Sequence, residues 1–217
     1  LVRIMAAHDL ELAKKEDADI IMATDPDADR LGVYAKDTKT GEYVSFTGNM
    51  SGMLIADYIM QERKATGTMP ENPALVTTVV TTDMAKAICK YYNVDCIEVL
   101  TGFKYIGEQI KFFEQTGSHN YVFGLEESYG CLAGTYTRDK DSIVAVMMLA
   151  EVASFYKKQG KTLWDAMIDL YEKYGYYREG QTTKELKGAS GAVEIQKIMD
   201  SFRQNPPTEL GGLKVLE

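Results

Sequence analysis

The chain has 217 residues, of which 45% are hydrophobic and 26% charged, enough apolar material for a packed core and too little charge per residue for disorder. Its formal net charge of -8 excludes a general affinity for nucleic acid or anionic membrane, so any anionic ligand must be met by local cations. No apolar run reaches membrane-spanning length, and Cys89, Cys96 and Cys131 form no CxxC pair, so the thiols read as buried and reduced and the compartment as cytoplasmic.

The N-terminal residue is Leu1, and Glu217 arrives just as a strand-like run over 213–216 begins. Both ends are therefore expected to be cuts. In chain order, His8 to Lys15 has helical spacing, Asp19 to Ala23 reads as a short buried strand, and Leu31 to Ala35 as a second strand beyond an acidic loop. A turn over Asp37 to Gly41 leads into a third strand, Tyr43 to Phe46.

From Thr47 helix and strand alternate: a helix over Asn49 to Lys64, a β-branched strand over Ala74 to Val80, and a helix over Asp83 to Tyr92 with Asp83 as N-cap. A strand Val94 to Leu100, a helix Phe103 to Gln115 and a strand Tyr121 to Leu125 follow. A loop through Arg138 enters a long helix over Asp141 to Lys158, and Thr162 to Lys173 is another helix. Repeated βα units of this kind predict an α/β fold, a mixed and mostly parallel sheet with helices on both faces. Beyond a connector at 174–180, a strand over Gln181 to Leu186 and a helix over Ala189 to Arg203 open a further domain that is not completed.

The strongest chemical signal is Asp25-Pro26-Asp27-Ala28-Asp29-Arg30, a loop leaving an apolar strand with carboxylates at alternate positions. Three acids so close repel one another, and a divalent cation turns the same cluster into a cage of hard oxygen ligands. A solvated acidic turn is the bland alternative for a lone Asp-x-Asp, and three Asp closed by an Arg argue against it. A calcium EF-hand would need Gly and Glu at the sixth and twelfth loop positions, where Arg30 and Lys36 stand. A dehalogenase-type phosphohydrolase, with Asp25 as nucleophile, is the competing enzyme reading, and a non-catalytic sugar-phosphate-binding module is the third.

Three weaker signals also follow strands: Thr101-Gly102-Phe103-Lys104, Gly124-Leu125-Glu126-Glu127-Ser128-Tyr129-Gly130, and Arg138-Asp139-Lys140-Asp141. Glu126 and Ser128 offer an acceptor and a hydroxyl suited to vicinal sugar hydroxyls. Arg138 and Lys140 suit a phosphate or a proton transfer. Each alone is a strand end or a solvated helix start, and their shared position in one α/β unit is what points to a common cleft.

In order and spacing these four segments resemble the alpha-D-phosphohexomutases, a family that includes phosphoglucomutase and phosphomannomutase. The resemblance implies magnesium held by Asp25, Asp27 and Asp29, with Arg30 beside it and Lys140 at the reacting atoms. Glu126, Ser128, Thr101, Gly102, Lys104 and Arg138 would bind a hexose phosphate. It also implies residues 1–46 as the end of a metal-binding domain 2, 47–173 as a sugar-binding domain 3, and 174–217 as a linker and the truncated start of a phosphate-binding domain 4. The phosphorylated serine that donates phosphate would lie outside this internal fragment. A Glu-Glu-Ser loop is more similar to the phosphoglucomutase branch, which makes glucose phosphate the first choice of substrate. Thr116-Gly117-Ser118-His119-Asn120 imitates the phosphoserine loop but follows the metal loop and runs into Tyr121, so it reads as a helix-to-strand turn.

Overall fold

The computed structural model of the chain describes residues 10–180 and 183–216, which form two compact units that part between Arg178 and Glu179. In the larger unit a helix over 10–16 (α1) leads to β1 (Ile20–Thr24), β2 (Leu31–Lys36) and β3 (Tyr43–Phe46), an antiparallel meander in that order. His8, expected at the start of α1, lies outside the described residues. β2 alternates strictly, so Leu31, Val33 and Ala35 are buried and their neighbours are half-buried.

Next come α2 (Gly48–Thr66), β4 (Pro73–Thr78), α3 (Met84–Tyr92), β5 (Asp95–Val99), α4 (Phe103–Thr116), β6 (Asn120–Glu126) and β7 (Gly130–Leu132). α5 (Ser142–Lys157) and α6 (Leu163–Tyr174) complete the unit. The second sheet has the order β5-β4-β6-β7, with β4 parallel to both neighbours and β7 antiparallel to β6. It is the mixed, mostly parallel sheet expected. β4 explains the layering: Ala74 and Val76 face α4 with Phe103, Ile106, Ile110 and Phe113, while Leu75 faces α2, α3, α5 and α6. Val33, Ala35 and Phe46 of the meander enter that second core. The meander and the α/β layers thus bury a common apolar face, to which side chains the size of Val33 and Phe46 contribute about 1.5–3 kcal/mol each.

Several expectations are corrected. The β4 strand ends at Thr78, because Val79 and Val80 are exposed in a turn closed by Thr81 N donating to Thr78 O at 3.0 Å. Asp83 stands at the N-cap of α3 as expected but its side chain makes no capping bond; the Oγ1 of Thr82 accepts from Met84 N at 3.3 Å in its place. Asp83 pairs with Lys86 at 2.9 Å. The stretch before Arg138, expected to be all loop, contains β7. α5 and α6 are capped as their sequences suggest: Asp141 accepts from Ile143 N and Val144 N, and Thr162 forms a reciprocal capping box with Asp165.

The smaller unit holds α7 (Gly188–Gln204) and a hairpin of β8 (Glu209–Leu210) and β9 (Leu213–Lys214). Gly211 and Gly212, both at positive φ, make its two-residue turn. The strand expected over Gln181 to Leu186 is not formed at 183–186, which has no regular structure, and 181–182 lie outside the described residues.

Candidate active site at the junction of the acidic and sugar-type loops

The acidic loop is the connection between two antiparallel strands, β1 and β2, and folds back on itself. Asp25 N donates to Arg30 O at 3.3 Å, Ala28 N donates to Asp25 O at 3.0 Å, and Ala28 takes φ of 55°. This brings Asp25, Asp27 and Asp29 round so that one carboxylate oxygen from each lies within 4.8 Å of the others. Neighbouring oxygens bound to one magnesium at about 2.1 Å in octahedral geometry sit about 3 Å apart, so a closing of the loop by roughly 2 Å makes these three a ligand set.

Asp25 is buried, with Oδ1 accepting from Asp29 N at 3.0 Å and Arg30 N at 3.1 Å, and Oδ2 3.3 Å from Arg30 Nε. Burial pushes its carboxyl upward, but those two amides and the guanidinium outweigh it and hold the group below the usual carboxylate range. Asp27 is exposed, and Asp29 receives Arg30 Nε at 3.3 Å.

Lys140 joins this loop to the sugar-type loop. Its Nζ lies 2.7 Å from Asp29 Oδ2, 3.4 Å from Asp139 Oδ1 and 6.0 Å from the centre of the Phe103 ring. Its side chain, only 15% exposed, runs across Gly130, where a Cβ would collide with Lys140 Cδ and stand 3.0 Å from Glu126 Oε1. Burial alone would lower the Lys140 pKa, yet the hydrogen bond to Asp29 and the charges of Asp139, Asp29 and Glu126 raise it. A lysine serving as a base would need the opposite shift, so this site holds it as an ammonium ion.

The sugar-type loop, 127–129, is the three-residue connection of the β6–β7 hairpin, with Tyr129 at φ of 74°. Glu126 is buried at the end of β6 and Ser128 is half-buried in the loop. One main-chain bond ties it to the start of β2, Leu31 N donating to Tyr129 O at 3.2 Å, and another ties the acidic loop to the start of α5, Ser142 N donating to Ala28 O at 3.0 Å. The helix α2 begins directly beneath, where a Cβ on Gly48 would strike Glu127 O and Tyr129 N.

The remaining expected residues are placed less centrally. Thr101 and Gly102 lie in the bend before α4, Gly102 at φ of 121°, and Phe103 brings that bend to Lys140. Lys104 is exposed with its ammonium 4.8 Å from the Tyr105 ring centre. Arg138 points elsewhere: its guanidinium takes both oxygens of Glu114 at 2.6 Å and the Thr135 carbonyl at 2.5 Å, along the outside of α4. Ser118 and His119 form the turn from α4 to β6, Ser118 Oγ 3.2 Å from His119 Nδ1. Sequence reasoning did not single out Gly48, Gly130, Thr78 or Ala28. Gly130 carried a signal as the closing residue of the Glu-Glu-Ser-Tyr-Gly loop, whereas Gly48 and Thr78 matter only through contacts far along the chain.

Residues 47–174 match a family model described as phosphoglucomutase/phosphomannomutase, alpha/beta/alpha domain III. The chain is 38% identical over 207 residues to a phosphoglucomutase of Staphylococcus aureus (strain MRSA252), an alignment covering 95% of this chain and 36% of that protein. The chain thus spans about a third of the length of the curated relatives it matches. Among solved structures, it resembles the open form of the Paramecium phosphoglucomutase pp63/parafusin at 18% identity and a TM-score of 0.64, over 97% of this chain and 36% of that one. It also resembles Aspergillus fumigatus N-acetylphosphoglucosamine mutase in complex with GlcNAc-6P and magnesium, at 16% identity and a TM-score of 0.50, over 73% and 39%.

Proposed function

The chain belongs to the phosphoglucomutase/phosphomannomutase family, and from that premise we propose that it is the metal-binding and sugar-binding part of a magnesium-dependent phosphoglucomutase. The whole enzyme interconverts glucose 1-phosphate and glucose 6-phosphate through a bisphosphate intermediate. The observation that carries this reading is Lys140, which pairs with Asp29 of the acidic loop at 2.7 Å while lying against the Gly130 and Glu126 end of the sugar-type hairpin. A phosphoryl group moving to or from a sugar hydroxyl needs those two chemistries side by side.

Asp25, Asp27 and Asp29 would hold magnesium, whose charge would neutralise the phosphoryl oxygens. Arg30 steadies the carboxylates of Asp25 and Asp29. Glu126 accepts hydrogen bonds from sugar hydroxyls and Ser128 both gives and accepts them. Lys140 sets a positive charge where the attacking oxygen becomes negative. Thr101, Gly102 and Lys104, at the start of α4, receive the substrate's own phosphate. Arg138 serves by clamping its loop to Glu114. The phosphorylated serine and the distal phosphate clamp belong to the remainder of a longer polypeptide, and the cytoplasm is its setting. The phosphoglucomutase relative in Staphylococcus aureus supports glucose over mannose phosphate.

A coupled dehydrogenase assay on the full-length polypeptide tests the reading. Glucose 1-phosphate should turn over with magnesium and cease to do so after chelation or in Asp25→Asn. A decisive preference for mannose 1-phosphate, or release of inorganic phosphate in place of the isomer, would replace it.

A further inference from the structure

Glu127 lies between the two residues assigned to the sugar, yet its carboxylate is engaged elsewhere. Its Oε2 accepts from Thr78 Oγ1 at 3.0 Å. Thr78 is the last residue of the central strand β4 and is fully buried, and its Oγ1 stands 2.9 Å from Thr81 Oγ1. A hydroxyl has one proton to give. Since Glu127 takes that of Thr78, Thr81 must be the donor to Thr78, and the relay runs one way, Thr81 to Thr78 to Glu127. The turn is fixed by Thr81 N donating to Thr78 O. The three-residue loop is thereby held at three points: by Thr78 of β4 at Glu127, by Gly48 of α2 beneath Glu127 and Tyr129, and by Leu31 of β2 at Tyr129 O. Only such over-determination keeps a tyrosine at φ of 74°.

We propose that Thr78 and Glu127 are a positioning pair that aims Glu126 and Ser128 at the sugar, an assignment resting on the mutase reading above. Without the Thr78 hydroxyl, a half-buried carboxylate loses its donor and is free to swing toward Glu126, where like charges repel. The loop then samples orientations in which the sugar grip is lost. The bond between the pair does not involve Asp25, Asp27 or Asp29, so metal use should be untouched.

The test compares Thr78→Val, which keeps shape and removes the hydroxyl, with Thr78→Ser, which keeps it. In the full-length polypeptide Thr78→Val should lower kcat/KM for glucose 1-phosphate about ten-fold, the size expected for losing a hydrogen bond to a charged group, chiefly through KM. Thr78→Ser should stay within about two-fold, and half-activation by magnesium should not move. In the 217-residue chain, hydrogen exchange at the Leu31 amide, which reports its bond to Tyr129, should quicken in Thr78→Val and not in Thr78→Ser. Equal losses in both variants, or unchanged exchange in Thr78→Val, overturn the proposal. If the wild-type polypeptide turns over no hexose phosphate, the mutase reading fails, while the exchange experiment still decides whether Thr78 holds the loop.

Discussion

Gly130→Ala is the sharpest probe of the site, because it adds one methyl group at the point where the two loops meet. Gly130 has no positive φ, so alanine costs nothing in backbone conformation. The new Cβ would fall inside the contact radius of Lys140 Cδ and 3.0 Å from Glu126 Oε1. Lys140 Cδ lies near the free end of a flexible side chain, so it moves by roughly 1 Å in preference to the strand, and the 2.7 Å pair with Asp29 opens. A partly buried pair of this kind stabilises by about 1 kcal/mol, so urea denaturation of the 217-residue chain should show a loss of that order. Activity should suffer far more, because misplacing a reacting group by about 1 Å costs about 100-fold in kcat/KM. Wild-type activity would refute the placement of Lys140. A stability loss above about 3 kcal/mol would show that the methyl group collides with the backbone and that Gly130 serves the fold instead.

Asp141→Ala should destabilise the chain by about 1–2 kcal/mol in urea melts, since it removes the cap on α5 and the acceptor for Tyr136 Oη at 2.6 Å. Burial works against the Asp141 carboxylate, but the Tyr136 hydroxyl and the Val144 and Ile143 amides outweigh it and hold its pKa below the ordinary 3.8. Its contribution is therefore complete above pH 3.8 and is lost as pH falls through the lowered native value, so wild type and Asp141→Asn should converge only in strong acid. Magnesium should raise the melting temperature of the 217-residue chain weakly, and Asp25→Asn or Asp29→Asn should abolish the rise. The same chain assayed alone with magnesium and glucose bisphosphate should not interconvert the glucose phosphates; activity that vanished in Ser118→Ala would show that the turn serine is the donor.

The layering of this fold was legible because its signals are local. The apolar run of β2, the β-branched run of β4 and the starts of the helices near Asp141 and Thr162 are set within a few residues of what they determine. The acidic loop was equally plain, three like charges leaving a buried strand. β7 was not, since three residues, Gly130-Cys131-Leu132, are too few for a period and gain their identity from pairing with β6. The Gly211-Gly212 turn did carry a hairpin signal, and the flanking strands are so short that it went unread. Arg138 shows a different limit. Nothing local distinguishes an arginine that meets a phosphate from one that meets Glu114, 24 residues upstream, and a separation of 49 residues hides Thr78 from Glu127.

The bonds from Leu31 to Tyr129 and from Ser142 to Ala28 run between main chains, so no change of rotamer at any of those four residues breaks them directly. The sugar loop is thereby joined to the strand that leaves the acidic loop, and the acidic loop to the start of α5. On the mutase reading proposed above, an intermediate that exchanges its two phosphates would turn over above these joined loops, and a widening of the cleft would have to come from its other walls.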